Sequence, residues 1–201
     1  MISTSEPKPV LCVVAGPNGS GKTTTTLQLL QSEWSRDAVY INPDNIAQQQ
    51  FGDWNSESAV RAAAEYATKW RYKCLAEGKS FTFETVFSSE EKLEFLQKAK
   101  EAGFFVRFFF VCTEDPIINV ERITKRYLSG GHEVPISKII NRYYKSIQQA
   151  IKAVDIVDRA YFYDNSIENE NPRLVLRTVD GATYKTYENP LPEWVKPIVK
   201  M

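Results

Sequence analysis

The chain has 201 residues, enough for one domain with a full core and no need of disulfide or metal staples. Its 25 basic and 25 acidic residues cancel, so there is no excess charge to hold a bulk polyanion, although a local patch stays open. Cys12, Cys74 and Cys112 are widely spaced with no CxxC pair, which argues against a disulfide framework or zinc ribbon and for buried, reduced thiols.

Strand-like and helix-like segments alternate along the chain. "VLCVVA" at 10–15 is a short β-branched run, followed by a glycine-broken loop and a helix. "AVYIN" at 38–42 is a second strand, and residues 57–77 carry Val60, Ala63, Ala67, Trp70 and Cys74 at helical spacing before a stop at Gly78. "SFTFETVF" at 80–87 is a third strand. Ser88 and Glu91 then stand in capping-box register ahead of Leu93, Phe95, Leu96 and Ala99. "FFVRFFFVCT" at 104–113 is the most apolar stretch, and Asp115-Pro116 opens a helix to about Tyr127. Pro135 opens another with Ile136, Ile139, Ile140, Tyr143 and Ile147 on one face, and "AYFYDN" at 160–165 is the fifth strand. Apolar runs of this length suit strands buried on both faces. The order predicts an α/β fold of one domain over residues 1–201, with a mostly parallel five-stranded sheet flanked by helices. Residues 172–187 read differently, as a hairpin around Asp180-Gly181 added at the sheet edge, with a proline-punctuated tail. The opening residues lack a signal pattern and no run approaches about 18 apolar residues, so a cytoplasmic location is expected.

Gly16-Pro17-Asn18-Gly19-Ser20-Gly21-Lys22-Thr23 fits GxxxxGK[ST], between a strand and a helix as that motif requires. Its glycines let backbone amides surround phosphate oxygens, and the helix start adds its dipole. Lys22 is the residue for the β- and γ-phosphates, Thr23 for Mg²⁺, and Thr24 completes the nucleotide-binding run. This is a P-loop, and a P-loop NTPase fold follows. In open parallel sheets, ligands bind beyond the carboxyl ends of the strands. Asp44, after the second strand, suits a general base or a helix cap. Glu84, near the end of the third, suits a hydrogen-bonding partner of the acceptor or an outer-shell Mg²⁺ partner, and Thr85 beside it is a second acceptor-binding candidate. Arg122 and Arg126 stand at i and i+4, and Arg142 follows on the next helix. Helices over about 116–150, joined through Gly130-Gly131, read as an arginine-bearing lid that closes on phosphates. His132 reads as a loop residue of that turn.

The segments "GPNGSGKTT", "INPDNIA", "FTFETVFS", "RITKRYLSGGHEVP", "NRYYKSI" and "AYFYDNS" occur in the order seen in the zeta-toxin family of P-loop kinases, which the chain resembles from about residue 9 to 166. The resemblance implies ATP and Mg²⁺ as cofactors and a sugar nucleotide, typically UDP-N-acetylglucosamine, as the phosphate acceptor. In its terms Asp44 matches the base, Glu84 an acceptor-binding acid, and Arg122, Arg126 and Arg142 the lid cations. Ala47 stands where toxin members often carry an arginine three residues after the base. A separate antitoxin protein is the implied partner, because only about eight residues precede the first strand. Two other readings stand beside this one. The first is a nucleoside, nucleotide or polynucleotide 5′-hydroxyl kinase, for which neutral charge is a mild counter-indication. The second is an ATP-dependent switch or binding module, against which the acids at two strand ends and the arginine-bearing helices both argue.

Overall fold

Near-continuous apolar runs place the strands at the centre of the molecule, and the helices cover them. The computed structural model describes residues 7–35, 38–51, 56–129 and 134–200. The strands are β1 (Val10–Ala15), β2 (Val39–Ile41), β3 (Phe81–Thr85), β4 (Phe105–Cys112), β5 (Arg159–Asp164), β6 (Arg173–Val179) and β7 (Ala182–Thr186). The helices are α1 (Lys22–Leu30), α2 (Pro43–Gln50), α3 (Glu57–Ala76), α4 (Glu90–Glu101), α5 (Pro116–Leu128) and α6 (Ile136–Ala153). One sheet holds the strands in the order β2-β3-β1-β4-β5-β6-β7. The first five are parallel; β6 and β7 run antiparallel, as a hairpin whose turn residues Asp180 and Gly181 have φ of 48° and 83°. The sheet therefore has seven strands rather than the expected five, because the hairpin pairs with β5 and extends it.

The order explains where a site must form. The chain leaves β1 to one side, towards β2, and after β3 crosses to the other side at β4. A crevice opens at the carboxyl end of β1, where Gly16 begins. The larger core lies on one sheet face. It joins Phe81, Phe83, Phe108, Phe110 and Phe162 to residues of α2, α3, α4 and α6 and to Trp194, Val195 and Ile198 of the tail. A smaller cluster on the other face joins Cys12, Val14, Phe109, Val111 and Tyr161 to Leu29 of α1. Cys12, Cys74 and Cys112 are all buried free thiols, as expected.

Several local expectations need correction. The helix after β3 starts one residue late. Its N-cap is Ser89, not Ser88, and makes no side-chain cap bond. The cause is Phe87, which takes φ of 57°, is held by its N–H donating to the Thr85 hydroxyl at 3.1 Å, and buries its ring against Phe108. On α3 the buried face is Ala59, Ala63, Ala67, Arg71 and Cys74, so Val60 and Trp70 do not lead it. Arg71 takes the inner position by stacking its guanidinium over Phe83, 4.9 Å from the ring centre, and donating to Thr68. Ile136 is exposed, leaving Ile139 and Tyr143 to anchor the start of α6. Asp115 caps α5 as expected, its carboxylate accepting from the Ile117 N–H at 2.7 Å. Gly130, Gly131 and His132 lie outside the described residues. No helix among the described residues is long and apolar enough to cross a membrane.

Candidate active site

The loop after β1 is built to be narrow. Gly16, Gly19 and Gly21 all have positive φ, at 144°, 78° and 91°. A Cβ on Gly16 would stand 2.0 Å from the Val111 carbonyl oxygen, and one on Gly21 would stand 2.1 Å from Asn165 Nδ2. Gly16 thus needs glycine for space as well as for conformation, while at Gly21 the conformation demands it and the Asn165 amide would have to move. Two asparagines clamp the loop from outside. Asn119 on α5, fully buried, donates to the Asn18 carbonyl at 2.6 Å and accepts from the Thr113 hydroxyl. Asn165, just past β5, donates to the Ser20 carbonyl at 2.8 Å.

Lys22 opens α1 and folds over the loop, its ammonium donating to the carbonyls of Gly16 and Pro17 at 2.9 Å each. Part of the side chain meets solvent, but its charged end is surrounded by protein atoms. Its pKa is lowered to about 8. Desolvation is the largest cause; Glu84 opposes it, Arg126 adds to it and Asp44 opposes it. Asp44, Glu84 and Arg126 thus all act electrostatically on one ammonium.

The carboxyl ends of β2 and β3 meet through a chain of hydrogen bonds. The Asp44 N–H donates to Asn42 Oδ1 at 2.8 Å, Asn42 Nδ2 donates to the Tyr40 hydroxyl at 2.8 Å, and Tyr40 donates to Glu84 Oε1 at 2.6 Å. The other oxygen, Oε2, lies 3.5 Å from the Thr23 hydroxyl, which donates to it. Every donor points towards Glu84, so the bonds strengthen one another and orient both strand ends. Burial raises the Tyr40 pKa, and the bond to Glu84 raises it further, so this phenol keeps its proton. Asn42, not Asp44, caps α2. Asp44 sits in the first helical turn with its side chain exposed at the rim of the crevice. Thr85 is occupied in holding Phe87, through its hydroxyl.

The arginines reach the same place from α5 and α6. Arg122 Nη1 lies 3.5 Å from the Gly19 carbonyl, and Arg142 Nη1 lies 3.3 Å from Asn18 Oδ1. Arg126 is exposed, with no side-chain hydrogen bond among the described residues, but its charge bears on Lys22. Residues 16–23, Asp44, Glu84 and the three arginines thus surround one crevice. Thr24 is exposed on α1. Tyr40, Asn42, Asn119 and Asn165 join them without having been singled out by their sequence. A signal for Asn165 did exist, since "YDN" ends a strand whose carboxyl end borders the loop.

The crevice fits a nucleoside triphosphate with Mg²⁺. Close backbone approach is enforced at Gly16, a helix N-terminus faces the loop, and the buried Ser20 hydroxyl has no hydrogen-bond partner among the described residues. Thr23 with Glu84 behind it offers hard oxygen ligands in the small number that Mg²⁺ takes from protein.

Comparison with known proteins bears on the fold and the family. A Haemophilus influenzae protein, itself uncharacterised, is 32% identical over 130 residues, covering 64% of this chain and 88% of its own. The PezAT toxin-antitoxin system of Streptococcus pneumoniae contains a chain that superposes with a TM-score of 0.62 at 18% identity, covering 84% of this chain and 72% of that one. The structure of AvrRxo1-ORF1:-ORF2 with ATP has a TM-score of 0.66 at 14% identity, covering 89% and 61%. At those identities the two structures speak for the fold. Residues 1–170 match the family model described as zeta toxin, and the chain belongs to that family.

Proposed function

We propose that the chain is an ATP-dependent kinase that phosphorylates a hydroxyl of a small, nucleotide-linked acceptor, with UDP-N-acetylglucosamine the acceptor that family membership favours. The observation that carries this reading is the meeting of two carboxylates, Asp44 and Glu84, with a P-loop lysine and three guanidiniums in one crevice. A nucleotide switch needs the loop but not a free carboxylate beyond β2.

ATP would supply the phosphoryl group, and Mg²⁺ would neutralise charge between its phosphates. The protein's part is orientation and charge. Asp44, exposed at the crevice rim, takes the proton of the acceptor hydroxyl as its oxygen attacks. Glu84 accepts the hydrogen bond of the Thr23 hydroxyl, which would leave the hydroxyl lone pairs for Mg²⁺, and Tyr40 fixes the carboxylate in that pose. Lys22 leaves its loop carbonyls for the phosphates. Arg122, Arg126 and Arg142 supply positive charge where the transferring group gathers negative charge. A separate antitoxin is the proposed protein partner; the family and the likeness to a PezAT chain support it.

The test is incubation with Mg-ATP and either UDP-N-acetylglucosamine or a metabolite extract, read by mass spectrometry. One compound should gain the mass of a phosphoryl group as an equal amount of ADP forms. ADP release with no compound modified would favour the switch.

A further inference from the structure

The sheet face that carries the smaller core changes character towards the hairpin. Over β1 and β4 it is apolar and packed under α1. Along β4 and β5, Arg107 and Arg159 are register partners, and on the next row Tyr161 faces Arg177 of β6, which in turn faces Lys185 of β7. Alternation along β4 and β5 puts Arg107 and Arg159 on the same side as Phe109 and Tyr161. A direct Arg177–Lys185 pair across antiparallel strands is a like-charge contact, which weakens a sheet unless an anion offsets it. Among the described residues none of these four cations has a carboxylate within salt-bridge distance.

Aromatic rings stand among the cations instead. The Arg107 guanidinium lies 4.5 Å from the Trp34 ring centre, Arg177 lies 5.1 Å from Tyr161 and 5.0 Å from Tyr184, and the Lys185 ammonium lies 4.8 Å from Tyr187. Among the described residues, the Nε atoms of Arg107 and Arg177 are buried with no hydrogen-bond partner. Trp34, Tyr184 and Tyr187 are 43%, 63% and 39% exposed, so each offers solvent a ring surface beside a cation. Net neutrality of the chain hides this patch, and β6 and β7 lie beyond the residues that match the family.

We infer that this face binds single-stranded nucleic acid, with phosphates on Arg159, Arg177 and Lys185 and bases against Trp34, Tyr184 and Tyr187. Cations alone would suit any anion. Their interleaving with exposed rings matches the alternation of phosphate and base along a single strand, where stacking adds to charge. An acidic peptide would use the cations and leave the rings idle.

The experiment is fluorescence anisotropy of a labelled single-stranded oligouridine of about 12 nucleotides with the full chain, at salt from about 50 to 200 mM. Binding should weaken with salt at a log–log slope of about −0.7 per phosphate contact. Lys185→Glu should weaken binding about tenfold and flatten the slope by one contact or more. Tyr184→Ala should weaken it about fivefold or more with the slope unchanged. Both positions are exposed, and unchanged circular dichroism and ATP affinity confirm that the variants fold. Three results would overturn the inference: no salt-dependent binding by the parent, binding that neither variant changes, or binding that ATP displaces. Equal affinity for a poly-glutamate of the same length, insensitive to Tyr184→Ala, would also overturn it and mark the face as a site for an acidic protein.

Discussion

Tyr40 and Glu84, on neighbouring strands, share a 2.6 Å hydrogen bond that ties the end of β2 to the end of β3. Removing the phenol oxygen orphans two groups at once, Glu84 Oε1 and Asn42 Nδ2. Tyr40→Phe should therefore cost about 1–3 kcal/mol in urea unfolding. It should also weaken Mg²⁺-dependent nucleotide binding more than binding without metal, because the Glu84 behind Thr23 is released. Parental stability together with a parental Mg²⁺ requirement would show that the bond orients nothing.

Two glycines of positive φ separate space from conformation. Around Gly78, at φ 61°, a Cβ meets nothing within 4 Å. Gly78→Ala should lose only about 1 kcal/mol and leave nucleotide affinity intact. Gly16→Ala meets the Val111 carbonyl at 2.0 Å, a backbone atom that cannot turn aside. It should shift the loop and abolish nucleotide binding. Titration of a fluorescent ATP analogue against both variants distinguishes them, and equal affinities would contradict the narrow-loop account.

Lys22 carries a pH dependence. Its free-state pKa of about 8 lies below the ordinary 10.5, and phosphate oxygens beside it would raise the value. Binding ATP then takes up a proton between those limits. Affinity should be flat below about pH 8, where the lysine is already charged, and should fall as pH rises above it. Stability of the free protein runs the other way. The unfolded lysine binds more protons between about 8 and 10.5, so this group makes the fold relatively more stable as pH rises through that window. Calorimetry at about pH 8.5 in buffers of different ionisation enthalpy measures the uptake. Lys22→Met should remove it and most of the affinity; uptake that persists in that variant would place the titration elsewhere.

Much of this arrangement is legible in the sequence. Five strands, their largely parallel direction and the P-loop follow from apolar runs and a motif whose local context is strict. Asp44 and Glu84 stand out as candidates because strand ends in an open sheet are where ligands sit. What escaped was set by contacts distant in sequence. Asn119 and Asn165 reach the loop across 101 and 145 residues, and no periodicity encodes that. Tyr40 read as a strand residue of good β propensity, and only its register partner Thr82, two residues before Glu84, reveals its role. The late start of α4 depends on a left-handed Phe87, a conformation that the residue type does not announce.

Arg126 and Arg142 should matter to transfer more than to binding. Arginines that meet charge developed in the transition state are worth ~10³–10⁵ in rate. Arg126→Ala should lower turnover by a factor in that range with little change in ATP affinity. Arg142→Ala should do the same and also free the Asn18 side chain that it holds. Turnover within twofold of the parent in both variants would make them surface residues.

Asp44 bears the central claim, that the crevice performs phosphoryl transfer and does more than hold a nucleotide. Its side chain caps nothing, since Asn42 is the cap and only the Asp44 backbone N–H takes part. Asp44→Asn should therefore leave folding and ATP affinity as they are. The deciding measurement is the rate at which this variant phosphorylates the acceptor found in the extract, taken alongside its ATP affinity. The account predicts a fall of ~10²–10⁴ in transfer with affinity unchanged. Transfer at the parental rate would contradict it.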